Sequence, residues 1–129
     1  MLALWLGLLH GLADACAGYG LGWILRHETA IVTWILLYNG LGFGYQPMVG
    51  WLSDRWRMDR WVLVASVWSL GLGLLVLPQS TLLGVVLLGL GSASFHVGAG
   101  AIVSRLPAVN RAAGCFTAPG VVGLAIGGW

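Results

Sequence analysis

His10 and Asp14 stand four residues apart in a stretch, Leu2 to Leu25, that is otherwise almost entirely apolar. In a helix that spacing sets them one above the other on the same face, and Gly18 and Gly22 continue the row. An acidic residue at mid-membrane costs about 2.5–3.5 kcal/mol on insertion scales, so it normally faces a bundle interior and has a purpose there. Two readings follow: a protonation or substrate site with Asp14 as proton carrier, or a structural hydrogen bond between helices with Asp14 protonated. A third polar group, His96, lies in the run Gly91-Ser92-Ala93-Ser94-Phe95-His96-Val97-Gly98-Ala99-Gly100. Small residues at nearly every position there admit a close neighbouring helix. His96 either bonds a neighbouring carbonyl or titrates. His10, Asp14 and His96 are too few and too scattered to predict a metal site. No nucleophile–base pair is visible, so no enzyme is expected and no cofactor is implied.

A second polar set lies between Ala30 and Leu52. Tyr38, Gly42, Gln46 and Gly50 share one helical row, with Asn39 and Phe43 on the adjoining one. Pro47 removes a backbone donor and opens the helix one turn below. Gln46 either satisfies the freed backbone group or, with Asn39, lines a pathway. Gly40 and Gly44 form a small-xxx-small packing face.

The elements that must position these groups follow from composition. The chain has 129 residues, 59% hydrophobic and 8% charged, with mean hydropathy +0.91; ordinary soluble domains are about a quarter charged. A membrane span needs roughly 20 mostly apolar residues. The sequence therefore predicts an all-α, polytopic membrane domain over residues 1–129, with four full spans and a partial fifth: about 2–25, 30–52, 61–77, 82–103 and 112–129. The first stretch lacks a basic leader and holds His10 and Asp14, so it reads as a retained span rather than a signal peptide. Pro78-Gln79-Ser80 predicts a tight turn with Ser80 or Thr81 as N-cap, and Asn110 a cap for the fifth segment. Cys16 and Cys115 sit in apolar segments as packing residues. The 21 glycines suit membrane helices, where they let backbones approach.

Charge sets the topology. Half of it is gathered between Asp54 and Arg60, and the chain has no Lys. Arg55, Arg57, Arg60, Arg105 and Arg111 flank spans on one side against Arg26 alone on the other. By the positive-inside rule this predicts a multi-pass inner-membrane protein with a cytoplasmic N-terminus. Trp51, Trp56 and Trp61 fit as interfacial aromatics. No basic patch outside the loops suggests a nucleic-acid partner.

Gly50-x-Leu52-Ser53-Asp54-Arg55 resembles the start of the loop motif between the second and third spans of major facilitator superfamily transporters. Within that superfamily the chain is similar to fosmidomycin-resistance-type drug exporters: His10 and Asp14 in the first span, Gln46-Pro47-x-x-Gly50, Phe95-His96 in the fourth, and Phe116…Gly120-x-x-Gly123-x-Ala125-x-Gly127 in the fifth. Arg57-Met58-Asp59 replaces the motif's later Gly-Arg-Lys, the fourth span has no internal Arg, Val97 stands where the subgroup has Pro, and only Ala118-Pro119 with Gly123 survives of the antiporter signature.

The resemblance implies a partial N-terminal half of a two-half transporter, an incomplete chain whose C-terminal half is missing. It implies secondary active, proton-coupled export of a small amphipathic or anionic molecule or drug, with the bilayer, the substrate and protons as partners. A sugar or metabolite permease of the same superfamily is the alternative within transport; a complete small oligomeric membrane protein is the alternative outside it. Gly50, Asp54 and Arg55 would form a cytoplasmic gate. Asp54 follows a helix C-terminus, where the macrodipole disfavours an anion, so a partner is expected among Arg55, Arg57, Arg60 or another helix's N-terminus. The plain alternative is a solvated loop. Pro47, Gly98, Gly100, Pro119, Gly120 and Gly123 are expected at kinks and close packings.

Overall fold

The computed structural model describes residues 1–129 as six helices and no strand: α1 (Leu2–His27), α2 (Ile31–Gly44), α3 (Gln46–Trp56), α4 (Asp59–Val76), α5 (Thr81–Ser104) and α6 (Val109–Gly127). Four of them, α1, α4, α5 and α6, are long and apolar enough to cross a membrane. Large apolar side chains such as Leu12, Trp68, Leu75 and Val121 point outward, as they must where lipid rather than water is the solvent.

The expected second span is broken. α2 and α3 meet at Tyr45, which keeps near-helical angles (φ −83°, ψ −17°), so the chain continues without reversing. Neither piece, at 14 and 11 residues, reaches spanning length by itself. Pro47 in the first turn of α3 has no N–H to give the preceding turn. The carbonyl this frees is that of Phe43, while the Gln46 side chain bonds the neighbouring one, its Nε2 donating to the Gly42 carbonyl at 2.7 Å. Asn39 likewise bonds its own helix, its Nδ2 donating to the Ile35 carbonyl at 2.8 Å. Both amides satisfy local backbone, as the structural reading of Gln46 has it, but the acceptor is the Gly42 carbonyl rather than the one Pro47 frees.

The fifth segment is shifted toward the N-terminus, starting three residues earlier and ending two residues earlier than expected. α6 starts at Val109 and runs 19 residues, and Pro119 sits inside it without ending it. Asn110 is not its cap: Ala108, in the left-handed region at φ 54°, precedes the helix, and Asn110 lies exposed in its first turn. Ser80 does cap α5, accepting from the Leu83 N–H at 3.4 Å. Cys16 and Cys115 are free, half-buried thiols.

α5 is the central helix. It touches all five others, and Val85, Leu88, Phe95 and Ala99 on it are almost completely buried. α4 lies against its small-residue face: at Gly98 an added Cβ would stand 2.9 Å from both the Asp59 carbonyl oxygen and the Leu63 nitrogen. α1 and α6 press together more tightly still. A Cβ on Gly123 would overlap the Gly11 carbonyl, and one on Gly127 the Ala15 carbonyl. Such backbone contact is how small residues bind helices where the hydrophobic effect is absent. Gly40, Gly44 and Gly100, by contrast, face open space, so the expected packing roles of Gly40/Gly44 and of Gly100 are not met. α2 turns that glycine row away from its neighbours.

Gly123→Ala should therefore separate α1 from α6 at a cost of about 1–3 kcal/mol, the usual range for overpacking. The unfolding midpoint in an SDS titration of mixed micelles, followed by circular dichroism, should fall. Gly40→Ala should leave it unchanged, and equal midpoints for the two variants would refute this packing.

Candidate functional site

His10, Asp14 and His96 converge. The expectation that they are too few and too scattered for a metal site is corrected by the packing of α1 on α5: their candidate ligand atoms all lie within 4.8 Å of one another. His10 Nε2 is 3.0 Å from His96 Nε2 and 3.2 Å from Asp14 Oδ2, and His96 Nε2 is 3.7 Å from Asp14 Oδ1. Sequence spacing makes the His10–Asp14 pair; only tertiary structure adds His96.

Each ring is held from its other side. His10 Nδ1 lies 2.8 Å from the Phe116 carbonyl oxygen of α6, and His96 Nδ1 lies 2.8 Å from the Ser92 carbonyl oxygen one turn back. Carbonyls only accept, so both Nδ1 atoms carry hydrogen and donate. The His10 ring also forms a cluster with two phenyl rings, 4.3 Å from Phe116 and 5.8 Å from Phe95, which are themselves 6.4 Å apart, and it meets His96 edge-on at 4.8 Å. Gly120 leaves the room for this. A Cβ there would stand 2.6 Å from His10 Cε1 and 2.8 Å from Asp14 Oδ2.

The tautomers have a consequence. With both Nδ1 atoms protonated, two neutral rings would point Nε2 lone pairs at each other across 3.0 Å, with a carboxylate beside them. Three acceptors facing one point repel unless a cation sits among them. The site is therefore built to hold one positive charge, either a shared proton or a metal ion, with Asp14 as counter-charge. Exposure is graded: the side chain of His10 is 6% exposed, Asp14 16% and His96 27%, so the approach is from the His96 side.

The gate motif is arranged differently from expectation. Asp54 is exposed and makes no ion pair, and Arg55 is exposed and unpaired as well. At Gly50 an added Cβ would meet only Val97, at an ordinary 3.9 Å. The anchored carboxylate is Asp59, which accepts from Ser53 Oγ at 2.7 Å and pairs with Arg105. Asp54 sits in the last turn of α3, where the helix dipole opposes a negative charge. Asp59 is the first residue of α4, where the dipole favours one. Arg57, in the left-handed region at φ 54°, makes the turn between them. The pair joins the α3–α4 loop to the end of α5 beside a cavity of 890 Å³, which Asp54, Arg57, Arg60 and Arg105 also line.

Sequence reasoning missed Asp59, Ser53 and Arg105 as a unit. An acid opening a helix just after a charged turn was the available signal. At the other end of the bundle, Glu28 accepts from Trp34 Nε1 at 3.1 Å and from the Thr81 hydroxyl, joining the α1–α2 loop to the start of α5.

Asp59→Asn should destabilise the chain by about 1.5–3 kcal/mol, the worth of hydrogen bonds to a charged group, and should speed proteolysis in the α3–α4 loop. Asp54→Asn should do neither. Limited proteolysis in nanodiscs separates the two, and a greater effect at Asp54 would overturn the assignment.

No known protein family, no curated protein and no solved structure matches this chain.

Proposed function

We propose that the chain is the N-terminal part of a secondary active transporter of the major facilitator type, exporting a small molecule in exchange for protons. The observation that carries this reading is the His10–His96 contact beside Asp14. Polar groups inside apolar helices are costly, and those that persist commonly mark ion pathways or proton relays. This cluster adds a geometry that calls for one bound cation, held near the middle of α1 and of α5 with graded access. Asp14 and the histidine pair are the proton carriers in this scheme; Asn39 and Gln46, both engaged with their own backbone, are not.

The loop order Gly50-x-Leu52-Ser53-Asp54-Arg55 and the Phe95-His96 pair support the superfamily. The arginine balance of the loops supports a cytoplasmic N-terminus in an inner membrane. The gate in this reading is worked through Asp59 and Arg105, with Asp54 and the loop arginines lining the cavity alongside. Alternating access then requires that the Asp59–Arg105 pair open in one of the two states.

Inverted membrane vesicles from cells expressing the whole reading frame that encodes this chain provide the test. Substrate addition to vesicles with an acidified lumen should alkalinise it, since exported substrate enters as protons leave, and a protonophore should abolish the exchange. Asp14→Asn should reduce the exchange rate at least about tenfold, a loss of about 1.4 kcal/mol or more, while insertion stays normal. Flux that survives collapse of the pH gradient would rule out proton coupling, and flux unchanged by Asp14→Asn would remove the triad from the pathway.

A further inference from the structure

We infer that His10, Asp14 and His96 form a binding site for a divalent first-row transition-metal ion of the zinc type. The inference goes beyond the transport reading, since it rests on ligand geometry and stands or falls without flux. Two imidazole nitrogens and one carboxylate are a donor set for such ions, whereas magnesium and calcium demand more oxygens than are present.

Size agrees with chemistry. For ligands at about 2.0–2.1 Å from a tetrahedral ion, neighbouring donor atoms stand about 3.3 Å apart. The two imidazole nitrogens stand 3.0 Å apart, Asp14 Oδ2 lies 3.2 Å from His10 Nε2 and Asp14 Oδ1 lies 3.7 Å from His96 Nε2, so one donor from each residue falls within 4.8 Å and a small turn of the carboxylate closes a coordination face. An ion among the donors replaces the lone-pair conflict by three bonds.

Orientation agrees as well. Metal-bound histidines usually donate the second ring N–H to a carbonyl or carboxylate, which fixes the tautomer and aims the other nitrogen at the metal. Both rings do this, to Phe116 and to Ser92. Stacking on Phe95 and Phe116 holds the His10 plane. Gly120 completes the arrangement by leaving empty the volume that a side chain would push into His10 and Asp14.

Three protein ligands leave a fourth position, and it lies on the more exposed His96 side. Two neutral imidazoles and one carboxylate leave a divalent ion with one uncompensated positive charge. In a low-dielectric surrounding that charge favours an anionic group or a polarised water as the fourth ligand.

The test is titration of the purified 129-residue chain in nanodiscs with Co²⁺ as a visible probe for zinc-type sites. One ion should bind per chain, with the strong ligand-field bands of a four-coordinate centre. His96→Gln and Asp14→Asn should weaken binding by at least about 100-fold, since even outer-shell partners are worth about 10–100-fold. His27→Gln, at an exposed histidine outside the site, should leave it unchanged. X-ray absorption of the Zn²⁺-loaded wild-type chain needs no variant and should show two imidazoles per ion. Absence of stoichiometric binding, fewer than two imidazoles, or full binding by well-folded His96→Gln would overturn the inference. Asp14-dependent flux without metal binding would overturn this inference alone. Metal binding by a chain whose reading frame supports no flux would sustain it and remove the transport reading.

Discussion

Where Gly11 of α1 meets Gly123 of α6, a carbonyl oxygen occupies the space that a methyl group would need, and the geometry of the polar site is set from that contact. The two backbones come close enough for the Phe116 carbonyl to reach His10 Nδ1, and for Gly120 to lie against His10 and Asp14 without touching a side chain of its own to them. Had either helix carried an ordinary residue at this crossing, α6 would stand further out. The His10 Nδ1–H would then face hydrocarbon unpaired, at a cost of several kcal/mol by the general penalty for unsatisfied polar groups in lipid. Pro119 contributes from inside α6. It offers no N–H to the Cys115 carbonyl, and that carbonyl lies against Gly7, where no side chain stands in its way. A glycine row on one helix and a Gly/Pro row on the other thus place a carbonyl where a histidine needs it.

The same economy of backbone groups holds elsewhere. No buried side-chain nitrogen or oxygen lacks a hydrogen-bond partner, although few polar partners exist in so apolar a chain. The solution is local carbonyls: Gln46 takes Gly42, Asn39 takes Ile35, Ser66 takes Leu63 and His96 takes Ser92. At the triad, three titratable side chains from α1 and α5 face one another inside the bundle. That contrast separates it from the rest. Gln46, Asn39 and Ser66 are neutralised by their own helix and Ser69 by the Leu87 carbonyl of α5, while three acceptors at the α1–α5 junction are left facing one another.

Much of this was legible in the order of residues, and the limits have physical causes. Hydropathy alone delimits α1, α4, α5 and α6, because length in an apolar solvent is a one-dimensional property. Pro47 announces the break near Tyr45, although a single residue cannot tell a kink in one span from two short helices. The i, i+4 rule pairs His10 with Asp14, whereas His96 joins them only through the rotation of α5 about its axis, which depends on how Gly91 and Gly98 seat α4. The exchange of Asp54 for Asp59 has a similar cause. Both are loop acids in sequence, and they differ only in which end of which helix they occupy. The vacant faces of Gly40, Gly44 and Gly100 show the converse: a small-residue spacing permits close packing without requiring it.

α5 connects these features mechanically. Its first residue, Thr81, is bonded to Glu28 of the α1–α2 loop; its middle carries Phe95 and His96; and Arg105, just past its last turn, is bonded to Asp59. A helix of 24 residues is stiff on the scale of these bonds. A slide or rotation of α5 relative to α1 therefore disturbs the His10–His96 contact and strains the Thr81–Glu28 bond together. The Asp59–Arg105 pair instead fixes the other end of α5 to α4. The triad and Glu28 thereby restrain α5 against α1, and the ion pair makes α4 move with it.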